Sequence, residues 1–201
     1  MVISRSKLVN LVMTITTTVL DRDKINPNQL DPIPTKQKEL IEQYHPPPPN
    51  VNYNSNPSIF AKILKGELPA YTYQETNELL SFRDRTPKAK LHALVIPKKY
   101  ITSVKSLTNS DLDMILSMRE MALDILKKEE PEAYLKNDFI LCFHVPPFNS
   151  VDHLHLHVLA PASEMSYVYR YGKYLSETVW CVSDGFVIRS LKESKMISNG
   201  L

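Results

Sequence analysis

Between residues 153 and 158 polar and apolar positions alternate without a break, with Leu154, Leu156 and Val158 interleaved with His153, His155 and His157. A period of two is that of a β-strand with one face in a core. The pattern therefore predicts a strand whose aliphatic side packs inward while three imidazoles line the other face, with a cleft opening onto the middle one. Residues 91–97 form a near-continuous apolar run ended by Pro97, and residues 138–143 form another; both read as strands. Tyr71–Glu75 and Leu79–Arg83 read as shorter strands joined by a hairpin-type turn at Thr76-Asn77-Glu78.

Helical spacing appears twice. Leu112, Ile115, Met118, Ala122 and Ile125 recur toward Lys128 behind Thr108-Asn109-Ser110-Asp111, which has the shape of a capping box with aspartate in the acidic position. This predicts a core-facing helix in which Met114, Met118 and Met121 are packing residues. A shorter helix is predicted from Ser58 to Lys65, with Asn56 as N-cap, Pro57 at the first helical position, Gly66 as the stop, and Ile59, Phe60 and Ile63 as its apolar stripe. About five antiparallel strands and two helices give an α+β fold of one sheet and one helical layer.

The amino-terminal quarter breaks these periods. Met1 to Leu20 is cationic, threonine-rich and free of acids, and too short and hydroxylated to span a bilayer; it resembles a mitochondrial presequence, a poor secretory signal or an ordinary extension. From Asp21 to Asn54 the chain turns to Asn, Pro and polar residues, with a helix-like patch at Thr35–Tyr44 and a stiff run Pro46–Pro49 that suits a spacer or a docking ligand. The boundary is placed there, with an extension over 1–50 and one folded domain over 51–201. A chain of 201 residues can bury one good core, and its net charge of +2 argues against a generic polyanion binder. Cys142 and Cys181 sit among apolar residues and read as reduced core thiols, which suits a cytoplasmic or nuclear compartment, with mitochondrial targeting left open by the leader.

Half of the six histidines fall within five residues, and three readings stay open from the residues alone. They are a structural cluster on a strand face, a metal site, or a neutral imidazole that attacks an electrophile while its neighbours hold its tautomer and the leaving group. A metal site would ask for Cys, Asp or Glu nearby in space.

Ser150 to Ala160 resembles the signature of the histidine triad (HIT) nucleotide hydrolases and transferases. Phe143-His144-Val145-Pro146-Pro147-Phe148-Asn149-Ser150 ahead of it is similar to the Hint branch, Hint3 type. His92–Tyr100 is similar to the strand before the triad and Ser58–Ile63 to the opening helix, so the resemblance covers about residues 56–192 and leaves 1–50 unmatched. It implies cleavage of adenosine 5'-phosphoramidates or related AMP conjugates through a nucleotidyl-histidine on His155. In that scheme His157 meets phosphate oxygens or the leaving group, the His153 region fixes the tautomer, His92 is a fourth orienting histidine, and Ser150 reaches the leaving group or phosphate from its loop.

The same resemblance implies nucleotide binding by Ile59, Phe60 and Ile63 against the base, by Asp84 in its Phe82-Arg83-Asp84 context against the ribose, and more weakly by Asn149. The partners it implies are purine nucleotide conjugates and a second copy of the chain, the helix after Asp111 contributing to the homodimer; the tract Ser166–Leu191 would shape substrate choice. Zinc-containing Hint members carry ligands where this chain has Ser58, Ala61 and Tyr100, so no structural zinc and no cofactor is expected. Lys98 and Lys99 could attract phosphate or be simply solvated. Two alternatives remain: an aprataxin-like deadenylase of nucleic-acid ends, disfavoured because residues 162–201 hold no histidine and one cysteine, and a non-catalytic nucleotide-binding or scaffold module docked through Pro46–Pro49.

Overall fold

The computed structural model describes residues 53–198; the extension over 1–50, with its leader, helix-like patch and proline run, lies outside them. Helix α1 (Ile59–Leu64) opens the described chain, followed by β1 (Thr72–Glu75), β2 (Leu79–Arg83), β3 (Leu91–Pro97), α2 (Leu112–Glu129), α3 (Pro131–Leu135), β4 (Ile140–His144), β5 (Leu156–Ala160), β6 (Cys181–Ser183) and α4 (Asp184–Ser198). The six strands form one antiparallel sheet in the order β1-β2-β3-β5-β4-β6. The α+β class holds, with a sixth strand and two further helices beyond those expected from the pattern.

Local chemistry explains most boundaries. Gly66 takes φ 74° and stops α1 where a side chain would be strained. In the β1–β2 turn the Thr76 hydroxyl accepts from the Leu79 amide at 3.0 Å. Ahead of α2, the Asp111 carboxylate accepts from the Thr108 amide at 2.9 Å, the capping-box bond read from the sequence. Asn56 is a correction: helix α1 is capped by Ser58, and the Asn56 side chain accepts the Ser58 amide at 3.0 Å from outside the helix.

One face of the sheet is a continuous apolar core. Leu91, Ala93 and Val95 of β3, Leu156 and Val158 of β5, and Leu141 and Phe143 of β4 pack against Ile115, Met118, Ala122, Ile125 and Leu126 of α2. Helix α4 adds Val187, Ile188 and Leu191 and is tied to α2 by an ion pair from Arg119 to Asp184 at 2.7 Å. The helix that the resemblance links to a homodimer thus packs on an element of its own chain.

The second face is split. Phe60, Ala61, Ile63 and Leu64 of α1 cover Leu80, Phe82, Leu94 and Ile96, while Cys142, Leu159, Met165, Tyr174 and Cys181 form a separate cluster. Histidines fill the seam between the two. Ile59 leaves the stripe assigned to it: the buried side of α1 runs through Phe60, Ala61, Ile63 and Leu64, and Ile59 is turned out, 46% exposed.

Truncating the core should cost most where α2 meets the sheet. Met118→Ala, at a fully buried position, is expected to lower unfolding free energy by about 2–5 kcal/mol, whereas Glu120→Ala on the exposed side of the same helix should leave it within about 0.5 kcal/mol. Denaturant unfolding measures both, and equal losses would contradict this assignment of the helix faces.

Candidate active site

Strand β5 is central, hydrogen-bonded to β3 on one side and β4 on the other, which fixes the direction of every side chain it carries. The ladder begins only at Leu156, so His157 lies within it while His153 and His155 lie on its approach, a departure from the single long strand that the alternation predicts. Pro97 ends β3 opposite this point and has no amide to continue the pairing. The approach is held by other bonds: Leu154 donates its amide to Ile101 at 2.7 Å, and His153 Nε2 donates to the Pro97 carbonyl at 2.8 Å. Alternation survives, because Leu154, Leu156 and Val158 enter the main core while the imidazoles take the other face.

That face is covered, which corrects the open surface expected of it. His153, His155 and His157 are 0%, 6% and 4% exposed. The Phe60 ring stands edge-on over both His153 and His155, at 5.6 and 5.5 Å between centroids. A cavity of about 10 Å³ opens beside His155, lined by Ser103, Phe143, His144, Asn149 and His153 among others. A larger one of about 770 Å³ touches Tyr53, Asn56, Pro97 and Tyr100 but none of the triad rings.

Hydrogen bonds determine which nitrogen of each ring carries its proton. The His153 carbonyl can only accept, so His155 Nδ1 donates to it at 2.6 Å and the lone pair of His155 is left at Nε2. On the other side, the Lys88 amide can only donate, so His92 Nδ1 accepts it at 3.2 Å and His92 Nε2 carries the proton. That proton goes to His157 Nδ1 at 3.0 Å. Neutral His157 therefore keeps its proton at Nε2, a buried donor that meets no partner, with its ring 4.8 Å from that of His155. Among the described residues the site thus juxtaposes one free lone pair and one free N–H.

Burial keeps these rings uncharged. Desolvation lowers His153 and His92 to about 4 and His144 to about 3, the last helped by the Lys173 cation. The same desolvation lowers His155 and takes His157 well below the ordinary imidazole range, with the surrounding histidines adding to the latter.

His92 meets His157 rather than His155, so any effect on the middle ring passes through its neighbour. Asp84 gives one oxygen to the Thr86 amide at 2.8 Å, and its other faces His92 Nε2 at 3.5 Å. Phe82 stands edge-on to Phe60 at 5.4 Å behind the site. Asn149 spends its amide on the Val151 carbonyl and the Asp152 carboxylate, at 3.1 and 2.8 Å, and Ser150 is exposed on the loop. Lys98 and Lys99 lie by acids instead, at 2.7 Å from Glu75 and 3.8 Å from Asp111.

Two residues join the site that the pattern did not single out. His144, on β4, stacks edge-on against His157 at 4.6 Å and donates Nε2 to the Lys173 carbonyl at 3.2 Å. Tyr174, 2% exposed, contacts His92, His144 and His157 with its ring. The parity of β4, where Cys142 pairs with His157, was the available signal for His144; Tyr174 had none.

Ligand atoms of His144, His155 and His157 lie within 4.8 Å of one another, as do those of Asp84, His92 and His157. Either set could only close on a cation by taking a proton or an accepted bond from His157, whose Nε2 is protonated and whose Nδ1 already accepts from His92. The arrangement is better matched to nucleophile and donor than to a closed metal shell.

A family profile described as "Scavenger mRNA decapping enzyme C-term binding" matches residues 57–170. Adenosine 5'-monophosphoramidase HINT3 of Mus musculus is 33% identical over 144 residues, covering 71% of this chain and 85% of that protein. The protein of the same name from Danio rerio is 39% identical over 139 residues, covering 68% and 83%. Bifunctional adenosine 5'-phosphosulfate phosphorylase/adenylylsulfatase HINT4 of Arabidopsis thaliana is 36% identical over 104 residues, covering 51% and 68%.

Depressed imidazole pKa values make stability fall with acid. The unfolded chain takes up protons below about 6.5 while the folded one refuses them until about 3 to 4, so stability is full above 6.5 and declines as the pH drops through that window. Melting temperature should already decline between pH 6.5 and 5, where carboxylates stay ionised. A flat profile there would contradict the neutral buried cluster.

Proposed function

Because the chain belongs to the histidine triad family, we propose that it hydrolyses adenosine 5'-phosphoramidates and related AMP conjugates, releasing AMP through a nucleotidyl-histidine at His155. The observation that carries this reading is the free lone pair of His155 Nε2 held beside the unpartnered N–H of His157. The relatives named as adenosine 5'-monophosphoramidases support the substrate class.

In the first step His155 Nε2 attacks the α-phosphorus, the new N–P bond forms, and the P–N bond to the amine breaks, the amine leaving with a proton taken from solvent. In the second, water attacks the same phosphorus and loses a proton to solvent, the N–P bond to His155 breaks, AMP departs and the lone pair returns to Nε2. Two displacements replace one harder one. Phosphoryl chemistry asks chiefly for alignment and for donors aimed at the equatorial oxygens, and the His157 N–H supplies such a donor without bringing a charge that would protonate the nucleophile. Desolvation strengthens that interaction and keeps His155 uncharged in the pH range where it must attack.

Phe60, edge-on to the nucleophile and backed by Phe82, forms an apolar wall that suits a purine base, and Asp84 suits the ribose hydroxyls with the oxygen that faces His92. The range of leaving groups is the finer question: the Arabidopsis relative is named for phosphosulfate chemistry, which uses the same nucleotidyl half with a different departing group.

Incubation with adenosine phosphoramidate should give AMP, and His155→Ala should lower kcat/KM by roughly a thousandfold or more. His157→Ala is expected to lower kcat on the order of a hundredfold with a smaller change in KM, as for the loss of a single donor to the transition state. Equal turnover by wild type and His155→Ala would reject the nucleophile, and nucleotide binding without any turnover by wild type would replace the enzyme with a binding module.

A further inference from the structure

Asn56 lies 97 positions before His153 in sequence, yet its side chain makes a buried bond to that ring. The Ser58 amide can only donate, so the Asn56 atom 3.0 Å from it is the carbonyl oxygen, and the atom 2.9 Å from His153 Nδ1 is the amide nitrogen. The Pro97 carbonyl can only accept, so His153 Nε2, 2.8 Å away, carries the proton. The ring is thereby gripped at both nitrogens in one tautomer. Phe60 and Tyr100 stand edge-on to it, each 5.6 Å between centroids, and the Ser58 hydroxyl lies 3.4 Å from the same Nδ1.

Such a network is a poor way to fill space. An apolar side chain among Phe60 and Tyr100 would avoid burying two polar groups, so the gain from hydrogen bonds here is direction rather than stability. Direction matters because His153 precedes the ladder, which starts at Leu156, and the backbone there is held by the Leu154 amide bond to Ile101 together with the side-chain bonds of His153 in place of strand pairing. The backbone atom at stake is the His153 carbonyl, which receives the His155 Nδ1 proton at 2.6 Å.

We infer that Asn56 is a positioning residue for the reaction: by donating to His153 it sets the ring and the carbonyl that together leave the lone pair of His155 at Nε2, facing phosphorus. This rests on the reading of His155 as nucleophile. Asn56 does not touch the substrate in this scheme. Its influence passes through one ring and one carbonyl.

The test is long-range proton–nitrogen NMR of the imidazoles in the full-length, nitrogen-labelled chain, run beside steady-state kinetics with adenosine phosphoramidate. Wild type should show His153 protonated at Nε2 and His155 at Nδ1. Because the Ser58 hydroxyl can replace the lost donor, the informative variant is Asn56→Ala combined with Ser58→Ala. It should leave His153 protonated at Nε2 through its bond to Pro97 but, with the ring no longer gripped at Nδ1, show mixed tautomers at His155 and a kcat lower by roughly tenfold to a hundredfold, with KM nearly unchanged. Asn56→Asp keeps the size of the side chain but puts acceptors at both nitrogens of His153, so that ring should become doubly protonated at neutral pH, a signature that mere loss of packing does not produce.

Failure of wild type to turn over the phosphoramidate would sink the functional reading. Unchanged His155 tautomers in the folded double variant, or a singly protonated His153 in Asn56→Asp, would overturn the role of Asn56 whatever the activity.

Discussion

The bond from His155 Nδ1 to the carbonyl of His153 is the constraint on which the site depends. An imidazole has two tautomers of similar energy, and in water either nitrogen could carry the proton. One short bond of 2.6 Å to a group that only accepts removes the choice. Its effect is felt on the far side of the ring, where Nε2 is left as an uncharged base and nucleophile. On the other flank a second chain of bonds, from the Lys88 amide through His92 to His157, imposes the opposite tautomer on the next ring and turns an N–H inward. Two rings of identical chemistry, two residues apart, thus receive complementary roles from what their remote nitrogens meet.

The fold makes this possible by burying the seam. Helix α1 and the cluster around Tyr174 close over the second face of the sheet from either side, and desolvation removes the option of charge from every ring between them. Neutral imidazoles can hydrogen-bond one to the next without repulsion, whereas a protonated member would cost its neighbours their lone pairs.

How much of this was legible along the chain follows from the range of each interaction. Strands β2 and β3 have the predicted bounds because their signals, a hairpin turn and a seven-residue apolar run, are local. The triad was legible because three histidines share one period. Strand β6 was not, since three residues carry no period and it exists through pairing with β4. Asn56 next to proline looked like a helix cap, a local reading that lost to a partner 97 residues away. His144 comes from a different strand, and Tyr174 from a turn whose placement depends on packing alone. Ile59 was assigned to the wrong side because a six-residue helix offers too few turns to fix its buried face.

The most direct measurement is to find where the nucleotide sits during turnover. Wild-type protein mixed with adenosine phosphoramidate, denatured in base within the first turnovers and digested, should yield an AMP adduct that peptide fragmentation places on His155. An adduct on His153, His157 or His144, or AMP formation with no adduct at any histidine, would contradict the assignment of the lone pair on which the account is built.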